Sequence, residues 1–512
     1  MRGVSAPGAG GAGSHHLEHA GAADARSRSA AGSAGPSAAR EARSSRSERF
    51  TAKPLAFHEP LRPVLCAAAL AGLAACPSPR SPGALALSGA TLEIGRAGSL
   101  LAGVASDGAT VFAALTTQPA PATPTSPAGD DRAATPVTAP VTTIEALRPA
   151  GGAAPAWHTE LPGYGGPLAV TGGHLVAVLG GTGTVAGLAL RGEPGAAVAA
   201  LDAATGAPAW KLAVDSTEWA VIAAIAAAGD GVAIGGAFAG TLRIGDRVVS
   251  SAGETDGFAA RLTATGGVAW LVRVGGPGAD AVHGVAASGD KIAIAGAFAP
   301  GAELLGEPLV SFDERSPRAD GFVAELDPAG ARRWVQSFGG KADDAVAGAA
   351  IDAAGRIAIA ATAVDTVHIG GSELTATGAA DGMVAWWGPG GTLLDAVLVG
   401  GPDFDGLRAI APAGDRVVVA GFYSGSIRLG NRALTAGGGD DAFLAELDLA
   451  GTVAQAWPVG GEGREEITAL AAIPGGFVAG VAHTAAAQLD GTALRTPADP
   501  MSGAAILIRP VR

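Results

Sequence analysis

The stretch Asp320-Gly321-Phe322-Val323-Ala324-Glu325-Leu326-Asp327-Pro328-Ala329-Gly330 contains the pattern from which the fold can be predicted. Residues 322–326 alternate as a β-strand does, and residues 327–330 are of the types that form a tight turn. The opening Asp-Gly-Phe recurs in similar form at intervals of 64, 61 and 60 residues, in units that begin at Asp256, Asp320, Asp381 and Asp441. A repeat with a period near 60 indicates a propeller or a solenoid.

Further motifs complete the repeated unit. A tryptophan stands four residues beyond the turn glycine in three units, as Trp210, Trp270 and Trp334. The following strand runs into a Gly-Gly pair, which occurs at 275–276, 339–340, 400–401 and 460–461. Next comes a hairpin of small and β-branched residues, and such continuous apolar runs indicate strands buried on both faces. A second hairpin, with a turn such as Gly245-Asp246, is expected to lengthen each unit beyond four strands.

The apolar hairpin occurs seven times, which predicts the number of blades. Its copies are residues 101–115, 168–179, 221–238, 282–298, 346–361, 407–422 and 467–482. Seven blades close into a ring, and closure removes the edges that a linear stack would expose. The chain ends with only the start of a unit, residues 504–508, so we expect residues 85–94 to complete the last blade. The predicted fold is an all-β propeller of about seven blades over residues 76–512, preceded by a disordered leader and a lipoprotein signal.

One segment interrupts the first blade. Residues 116–143 are rich in Pro, Thr and Ala and lack hydrophobic periodicity, so we interpret them as a flexible loop insertion. A linker between two domains is the alternative, although the repeats on either side continue the same pattern.

The N-terminal part has a different composition. Residues 1–60 are a low-complexity leader for which we predict disorder, and residues 61–75 form an export signal that is too short to span a membrane. The tetrad Leu73-Ala74-Ala75-Cys76 resembles the lipobox of bacterial lipoproteins, which implies cleavage before Cys76 and lipid attachment to it. An ordinary signal peptide with an incidental cysteine is the alternative. Because export signals begin at the N-terminus, we hypothesise that translation starts near Leu61.

Charge and cysteine content narrow the choice of partners. Residues 76–512 hold 25 Lys and Arg against 42 Asp and Glu, a net charge of −17. An acidic surface repels nucleic acid, so we expect no nucleic-acid partner, and the lipid anchor is the expected contact with a membrane. The other cysteine, Cys66, lies within the signal, so the mature chain would contain no disulfide.

Taken together, the motifs resemble those of bacterial SBBP-type β-propeller repeats, whose units read roughly Asp-Gly-Phe, Leu-Asp-x-x-Gly, Trp and Gly-Gly-x-x-x-Asp. Residues 201–210 also resemble the propeller repeats of quinoproteins. The resemblance covers roughly residues 150–512 and implies a fold rather than a chemistry. Two units depart from it, because Asp395 stands where tryptophan is expected and Trp457 lies two residues beyond the expected place.

Two sets of repeated residues are candidate sites. The tryptophans could line a sugar-binding surface, but rings at a fixed place in each blade more often hold neighbouring blades together. Acidic residues follow the Gly-Gly turns, at Asp280, Asp343, Asp344, Asp403, Asp405 and Glu465. Capping of free backbone amides is the commoner role of such residues, and calcium, which takes six or more oxygens, is the alternative. We therefore predict no cofactor, with calcium as that alternative.

No catalytic constellation is visible in residues 76–512, because the histidines there stand singly and there is no nucleophile elbow or phosphate-binding loop. We predict a lipid-anchored propeller of the cell envelope, at the outer membrane or cell surface, that binds a protein or a glycan without catalysis. The alternative is an envelope propeller enzyme, namely a lyase, a hydrolase or a quinoprotein-like dehydrogenase, and a structural spacer is a third reading. A central channel lined by charged residues and histidine would favour the enzyme, and a plain channel would favour the binding module.

Overall fold

The computed structural model describes residues 91–94, 99–117, 139–148, 154–313, 318–494 and 503–511. The strands form seven large sheets arranged as the blades of a β-propeller. Within the described residues there is no α-helix, and one 3-10 turn spans Pro389–Gly391. The prediction of an all-β fold with about seven blades is confirmed. The predicted leader of residues 1–60, the signal of residues 61–75 and Cys76 lie outside the described residues.

Each blade has four main strands, of which the first lines the ring axis and the fourth lies at the rim. Strand β1 (Thr91–Glu93) precedes blade 1, which contains β2 (Ser99–Ser106), β3 (Val111–Thr117), β4 (Val141–Leu147) and β5 (Trp157–Pro162). Blade 2 contains β6 (Tyr164–Thr171), β7 (His174–Gly181), β10 (Gly195–Asp202) and β11 (Pro208–Ser216), with a small hairpin, β8 (Thr184–Val185) and β9 (Leu188–Ala189), inserted after its second strand.

The next three blades repeat this plan, each with a hairpin inserted after its second strand. Blade 3 contains β12 (Trp219–Ala228), β13 (Gly231–Ala239), the hairpin β14 (Thr241–Ile244) and β15 (Arg247–Ser250), β16 (Asp256–Leu262) and β17 (Val268–Gly275). Blade 4 contains β18 (Ala281–Ser288), β19 (Lys291–Phe298), the hairpin β20 (Glu303–Leu304) and β21 (Glu307–Pro308), β22 (Asp320–Leu326) and β23 (Arg332–Gly340). Blade 5 contains β24 (Ala345–Ile351), β25 (Ile357–Ala363), the hairpin β26 (Thr366–Ile369) and β27 (Ser372–Thr375), β28 (Asp381–Trp387) and β29 (Leu393–Val399).

The last two blades complete the ring. Blade 6 contains β30 (Asp405–Ala413), β31 (Arg416–Tyr423), the hairpin β32 (Ser426–Leu429) and β33 (Arg432–Thr435), β34 (Asp441–Leu447) and β35 (Val453–Gly461). Blade 7 contains β36 (Glu465–Ile473), β37 (Gly476–His483), the hairpin β38 (Ala487–Leu489) and β39 (Thr492–Ala493), and β40 (Gly503–Pro510).

Four of the six inserted hairpins among the described residues extend the blade that precedes the one in which they are encoded, whereas β8–β9 and β32–β33 form separate two-stranded sheets. Strand β14 follows the second strand of blade 3, yet it pairs with β11, the fourth strand of blade 2. In the same way β20 pairs with β17, β26 with β23, and β38 with β35. The expectation that a second hairpin lengthens the units beyond four strands is met in four described blades, whose sheets have six strands. The sequence did not reveal that the hairpin lies against the rim of the preceding blade. Each of these hairpins ties two consecutive blades together.

The N-terminal strand closes the ring. Strand β1 pairs antiparallel with β40, with Thr91 opposite Leu507 and Glu93 opposite Ala505. Strand β40 in turn pairs with β37, so the strands of blade 7 lie in the order β36, β37, β40 and β1. The fourth strand of this blade is therefore β1, from the opposite end of the chain. The prediction that an N-terminal strand completes the last blade is confirmed.

The core is divided among the spaces between neighbouring blades. The cluster between blades 4 and 5, for example, includes Trp334, Phe338 and Trp387. Alanine and glycine fill much of the first three strands of each blade, which lets the sheets pack closely face to face. In blade 1, strand β3 extends through Thr117 and strand β4 begins at Val141, so both ends of the predicted insertion 116–143 are strand. Residues 118–138 between them lie outside the described residues.

Candidate functional site

A pair of buried carboxyl groups lies at four of the junctions between blades. One member is the Asp that opens the third strand of a blade, and the other stands at the start of the first strand of the next blade. The pairs are Asp256 with Asp280, Asp320 with Asp344, Asp381 with Asp405, and Asp441 with Glu465. None of the eight residues is more than 3% exposed. Sequence reasoning identified both series of acids but not their pairing.

The Gly-Gly motif makes room for these carboxyl groups. A Cβ on Gly275 would lie 2.7 Å from Cγ of Asp256 and 2.8 Å from Oδ2 of Asp280. The second glycine of the motif instead meets the inserted hairpin, because a Cβ on Gly401 would lie 2.0 Å from the carbonyl oxygen of Ser426. Any side chain at either position would collide with its neighbours, so close approach explains the repeated glycines.

In three of the four pairs, those with Asp280, Asp344 and Asp405, the second acid accepts hydrogen bonds from backbone amides. Asp280 accepts from the N–H groups of Gly276 at 2.7 Å and Ala299 at 2.8 Å. Asp405 accepts in the same way from Gly401 at 2.6 Å, and more weakly from the amide of residue 424 at 3.2 Å. These bonds fasten the loop between two blades to the end of the second strand, which is the capping role that free amides require.

Burial makes these carboxyl groups weak acids. It is the largest cause that raises the pKa of Asp280 and Asp405 to about 6 and that of Asp344 and Glu465 to about 7, and the negative charge of the paired acid is a smaller cause in the same direction. The first pair has a counter-ion, since Nη1 of Arg273 lies 2.6 Å from Oδ2 of Asp256. The second acids therefore keep their protons to a higher pH than exposed carboxyl groups do.

The pair formed by Asp441 and Glu465 shows the role of the proton most clearly. Neither carboxyl oxygen of Glu465 has a donor partner among the described groups, nor has Oδ1 of Asp441. The two carboxyl groups contact each other, and such a contact becomes a hydrogen bond only when one of them carries a proton. The hydroxyl of Tyr423 donates a further bond to Oδ2 of Asp441 at 3.4 Å. We infer that this pair shares a proton.

The carboxyl pairs offer little to a metal ion. Across the part of the chain that the structure describes, no group of three or more His, Cys, Asp or Glu side chains is placed to hold one. A pair supplies fewer side-chain oxygens than calcium usually takes. Asp343 and Asp403, which also follow Gly-Gly turns, are exposed, and Asp343 pairs with Arg318 at 2.5 Å. Calcium binding stays an untested alternative.

The repeated tryptophans lie between blades. The indole N–H of Trp210, in the fourth strand of blade 2, donates to the carbonyl oxygen of Ala264 in blade 3 at 2.7 Å. Trp270 in blade 3 donates to the carbonyl oxygen of Pro328 in blade 4 at 3.0 Å. The rings cover the turn glycine of the next blade, since a Cβ on Gly266 would lie 2.8 Å from the Trp210 ring. The tryptophans thus join each blade to its successor.

Two more tryptophans lie between blades: Trp157, which the repeat pattern did not reveal, and Trp334, whose hydrogen bond differs from that of the others. Trp157 in blade 1 donates to the carbonyl oxygen of Ala203 in blade 2 at 3.1 Å, like the members above. Trp334 covers Gly391 of the next blade but donates to Glu325 of its own blade at 3.0 Å. All eight tryptophans of the chain lie within the described residues, and none of them is exposed. Their positions between blades agree with the packing role, and a sugar-binding surface stays an untested alternative.

The two departing units use other contacts. At the junction after Asp395, the side chain of Val397 occupies the place of the indole, and a Cβ on Gly451 would lie 2.6 Å from it. Trp457 packs edge to face on Phe477 of blade 7, with 4.9 Å between the ring centroids. Blade contacts are thus kept although the motif changes.

We expect Trp270→Phe to lower the free energy of unfolding by about 1–2 kcal/mol, because it removes the hydrogen bond to Pro328 and leaves part of a buried site unfilled. Urea-induced unfolding measures the loss. Trp219→Phe is the matched control, since Trp219 is half-buried and its indole N–H has no partner among the described residues. Equal losses in the two variants would contradict the joining role of Trp270.

The central channel is lined by the first strands of all seven blades and has a volume of about 250 Å³. Its described lining consists mainly of Ala, Gly, Val, Leu and Ile, and its ionisable side chains are His283 and Arg408. No carboxylate and no nucleophilic cysteine is among these lining residues. The described lining of the channel therefore combines two ionisable side chains with mainly small apolar residues.

No protein-family model matches the chain, and no curated protein matches it. Among solved structures, BamB from Moraxella catarrhalis is 14% identical over 72% of this chain and 93% of its own, with a TM-score of 0.32. The β-propeller domain of the Trilobed protease from Pyrococcus furiosus is 9% identical over 75% of this chain and 90% of its own, with a TM-score of 0.39. A europium-containing methanol dehydrogenase is 10% identical over 81% of this chain and 92% of its own, with a TM-score of 0.34. Likenesses at this level say nothing about function, and the fold assignment rests on the strand pairing.

Proposed function

We propose that this chain is a lipid-anchored, non-catalytic binding or scaffold module of the bacterial cell envelope, built from SBBP-type repeats. The observation that supports a non-catalytic role most strongly is the central channel. Propeller enzymes need reactive groups that converge on one place, whereas the described lining offers one histidine and one arginine among small apolar residues. The buried acids and tryptophans between blades are occupied in holding the ring together.

A protein partner is better supported than a glycan. Sugar-binding surfaces commonly use exposed aromatic rings, and no tryptophan is exposed here. The segment before the third strand of blade 4 instead presents apolar side chains, with Val310 65% exposed and Phe312 39% exposed. The Phe312 ring stacks on His368 of the next inserted hairpin, with 5.8 Å between centroids and 5° between planes. Exposed apolar groups held in a fixed position suit contact with another protein.

The membrane contact would be the lipid on Cys76. The described part of the chain has no helix with the length and apolar character needed to cross a membrane. The residue after the cysteine is Pro77, not the aspartate that retains some lipoproteins in the inner membrane, so we place the protein at the outer membrane or cell surface.

Intact-mass analysis of protein purified from membranes of the native host tests the anchor. We expect a mass that begins at Cys76 with attached acyl chains in the wild type, and no acylated species with Cys76→Ser. Cys66→Ser is the matched control, because Cys66 lies in the signal and is expected to be removed with it. An unlipidated chain that still carries residues 1–75 would refute the proposed localisation.

A further inference from the structure

The first strands of all seven blades carry an irregularity at the same place. The register shifts lie between 101 and 103, 165 and 168, 222 and 224, 282 and 284, 346 and 348, 407 and 409, and 467 and 469. A bulge turns one extra residue away from the ladder, and here that residue faces the channel. The channel-facing positions around the ring are Ala102, Pro167, Ala223, His283, Ala347, Arg408 and Thr468. The polar side chains of the channel therefore belong to one layer.

Arg408 gives this layer a positive charge that has no counter-ion. No ion pair or hydrogen bond joins Arg408 to another described residue, and its guanidinium lies over the Phe422 ring, 4.6 Å from the centroid. An arginine on an aromatic face keeps its N–H donors available at its edges. Arg408 is exposed to solvent, and it is a cation without an acidic partner among the described residues in a chain whose formal charge is −13. The described lining of the channel holds no carboxylate that would compete with an anion for this charge.

His283 adds a second group whose state is set by its surroundings. Its Nδ1 lies 3.0 Å from the carbonyl oxygen of Val346, so Nδ1 carries the proton and Nε2 is left for another partner. Burial lowers the pKa of His283, which keeps the ring neutral near pH 7. The strands packed on either side present Ala223 and Ala347 to the channel, and Arg408 is the charged group that shares the lining with His283. Protonation of His283 would thus double the positive charge of the layer.

Thr468 stands next to Arg408 in the order of the ring. Its hydroxyl has no hydrogen-bond partner among the described residues and is turned toward Gly480 of the neighbouring strand. A rotation about χ1 would turn the hydroxyl toward the channel, where it could donate to a ligand held by Arg408. The donors of this layer are thus an unpaired guanidinium and an unsatisfied hydroxyl at adjacent positions.

We propose that this polar layer of the central channel binds a small oxyanion, a free ligand that presents a carboxylate or a similar anionic group to the guanidinium of Arg408. The available volume suits a compact ligand and excludes a folded partner. This site is independent of the lipid anchor and of the protein-binding surface proposed above. Binding requires no chemistry, so it is compatible with a non-catalytic propeller.

Calorimetric titration of the full-length protein with succinate and with sulfate, at constant ionic strength, tests the site. We expect binding in the wild type and at least about tenfold weaker binding with Arg408→Gln, equivalent to about 1.4 kcal/mol. Arg428→Gln is the matched control, because Arg428 is exposed on the inserted hairpin of the same blade and its loss changes the net charge equally. Thermal unfolding of both variants verifies that the ring is intact.

The pH dependence gives a second readout that a general charge effect would not produce. Sulfate keeps its charge over the pH range of the titrations. Tighter binding of sulfate at a pH below the pKa of His283 than at a pH of about 8 therefore reports protonation of the His283 ring. His283→Gln should remove this dependence and leave binding at high pH unchanged. Absence of binding of both probes, or equal weakening with Arg408→Gln and Arg428→Gln, would overturn the proposal.

Discussion

Gly400→Ala is expected to lower the free energy of unfolding by about 3–5 kcal/mol, because the added Cβ would collide with a buried carboxyl group. The added Cβ would lie 2.1 Å from Oδ1, 2.4 Å from Cγ and 2.8 Å from Cβ of Asp381. Asp381 is 1% exposed and accepts a hydrogen bond from the amide of Thr377 at 2.8 Å. The carboxyl group cannot move aside without losing that bond and disturbing its partner Asp405.

Gly180→Ala is the control for this substitution. Gly180 also lies in a strand, and the nearest atom to its added Cβ would be the carbonyl oxygen of Gly195 at 3.9 Å. Guanidinium-induced unfolding of the two variants should show a large shift of the midpoint for Gly400→Ala and a small one for Gly180→Ala. A similar shift in both would mean that the carboxyl pair is not what requires the glycine.

A second large effect is expected from pH, because the folded protein should lose stability as pH rises from about 5 to about 8. A carboxyl group with a raised pKa binds more protons in the folded state than in the unfolded state. Its stabilising contribution is full below the unfolded pKa of about 4 and is lost as pH rises through the folded pKa. The folded pKa values of about 6 for Asp280 and Asp405 and about 7 for Asp344 and Glu465 place that loss near neutrality.

Glu465→Gln isolates the contribution of one pair. Its amide would donate to Asp441 at every pH, as the protonated acid does at low pH. We expect a gain of about 1–2 kcal/mol at pH 8, less than the full pKa difference implies because the site can relax toward water, and a clearly smaller gain at pH 5. Glu462→Gln, on the exposed turn just before Glu465, is the control and should change stability little at either pH. An equal gain at both pH values would show that the pair does not share a proton.

The acid pairs also show what the sequence contains and what it conceals. Each pair is separated by 24 residues, from Asp256 to Asp280 and from Asp441 to Glu465 alike. The constant interval is a readable signal of the pairing, although the motifs were interpreted as separate turn features. Only the assembled ring shows that the start of a third strand and the start of the next blade meet at one edge.

Local pattern and long-range pairing differ in how far they can be predicted. The blade number and the closing role of the N-terminal strand follow from periodicity and from an incomplete last unit, and both are confirmed. The partner of each inserted hairpin could not be predicted, because Gly245-Asp246 defines a turn and carries no information on which strand lies beside it. The layer formed by His283, Arg408 and Thr468 was hidden for a similar reason, since a bulge depends on pairing between strands and leaves no mark in residue type.

Because four of the inserted hairpins pair with the preceding blade, the sequence segment that encodes a blade does not coincide with the set of strands that form one sheet. A segment of one period, if duplicated by recombination, would bring a new blade together with the hairpin that covers the rim of the blade before it. Every fourth strand that had been covered would stay covered, and β1 would still pair with β40 across the enlarged ring. Whole-period gains and losses are thus tolerable, whereas transplanting one blade alone would leave a hairpin without its strand and a rim without its hairpin. The number of blades in the ring can therefore change more easily than a single blade can be replaced.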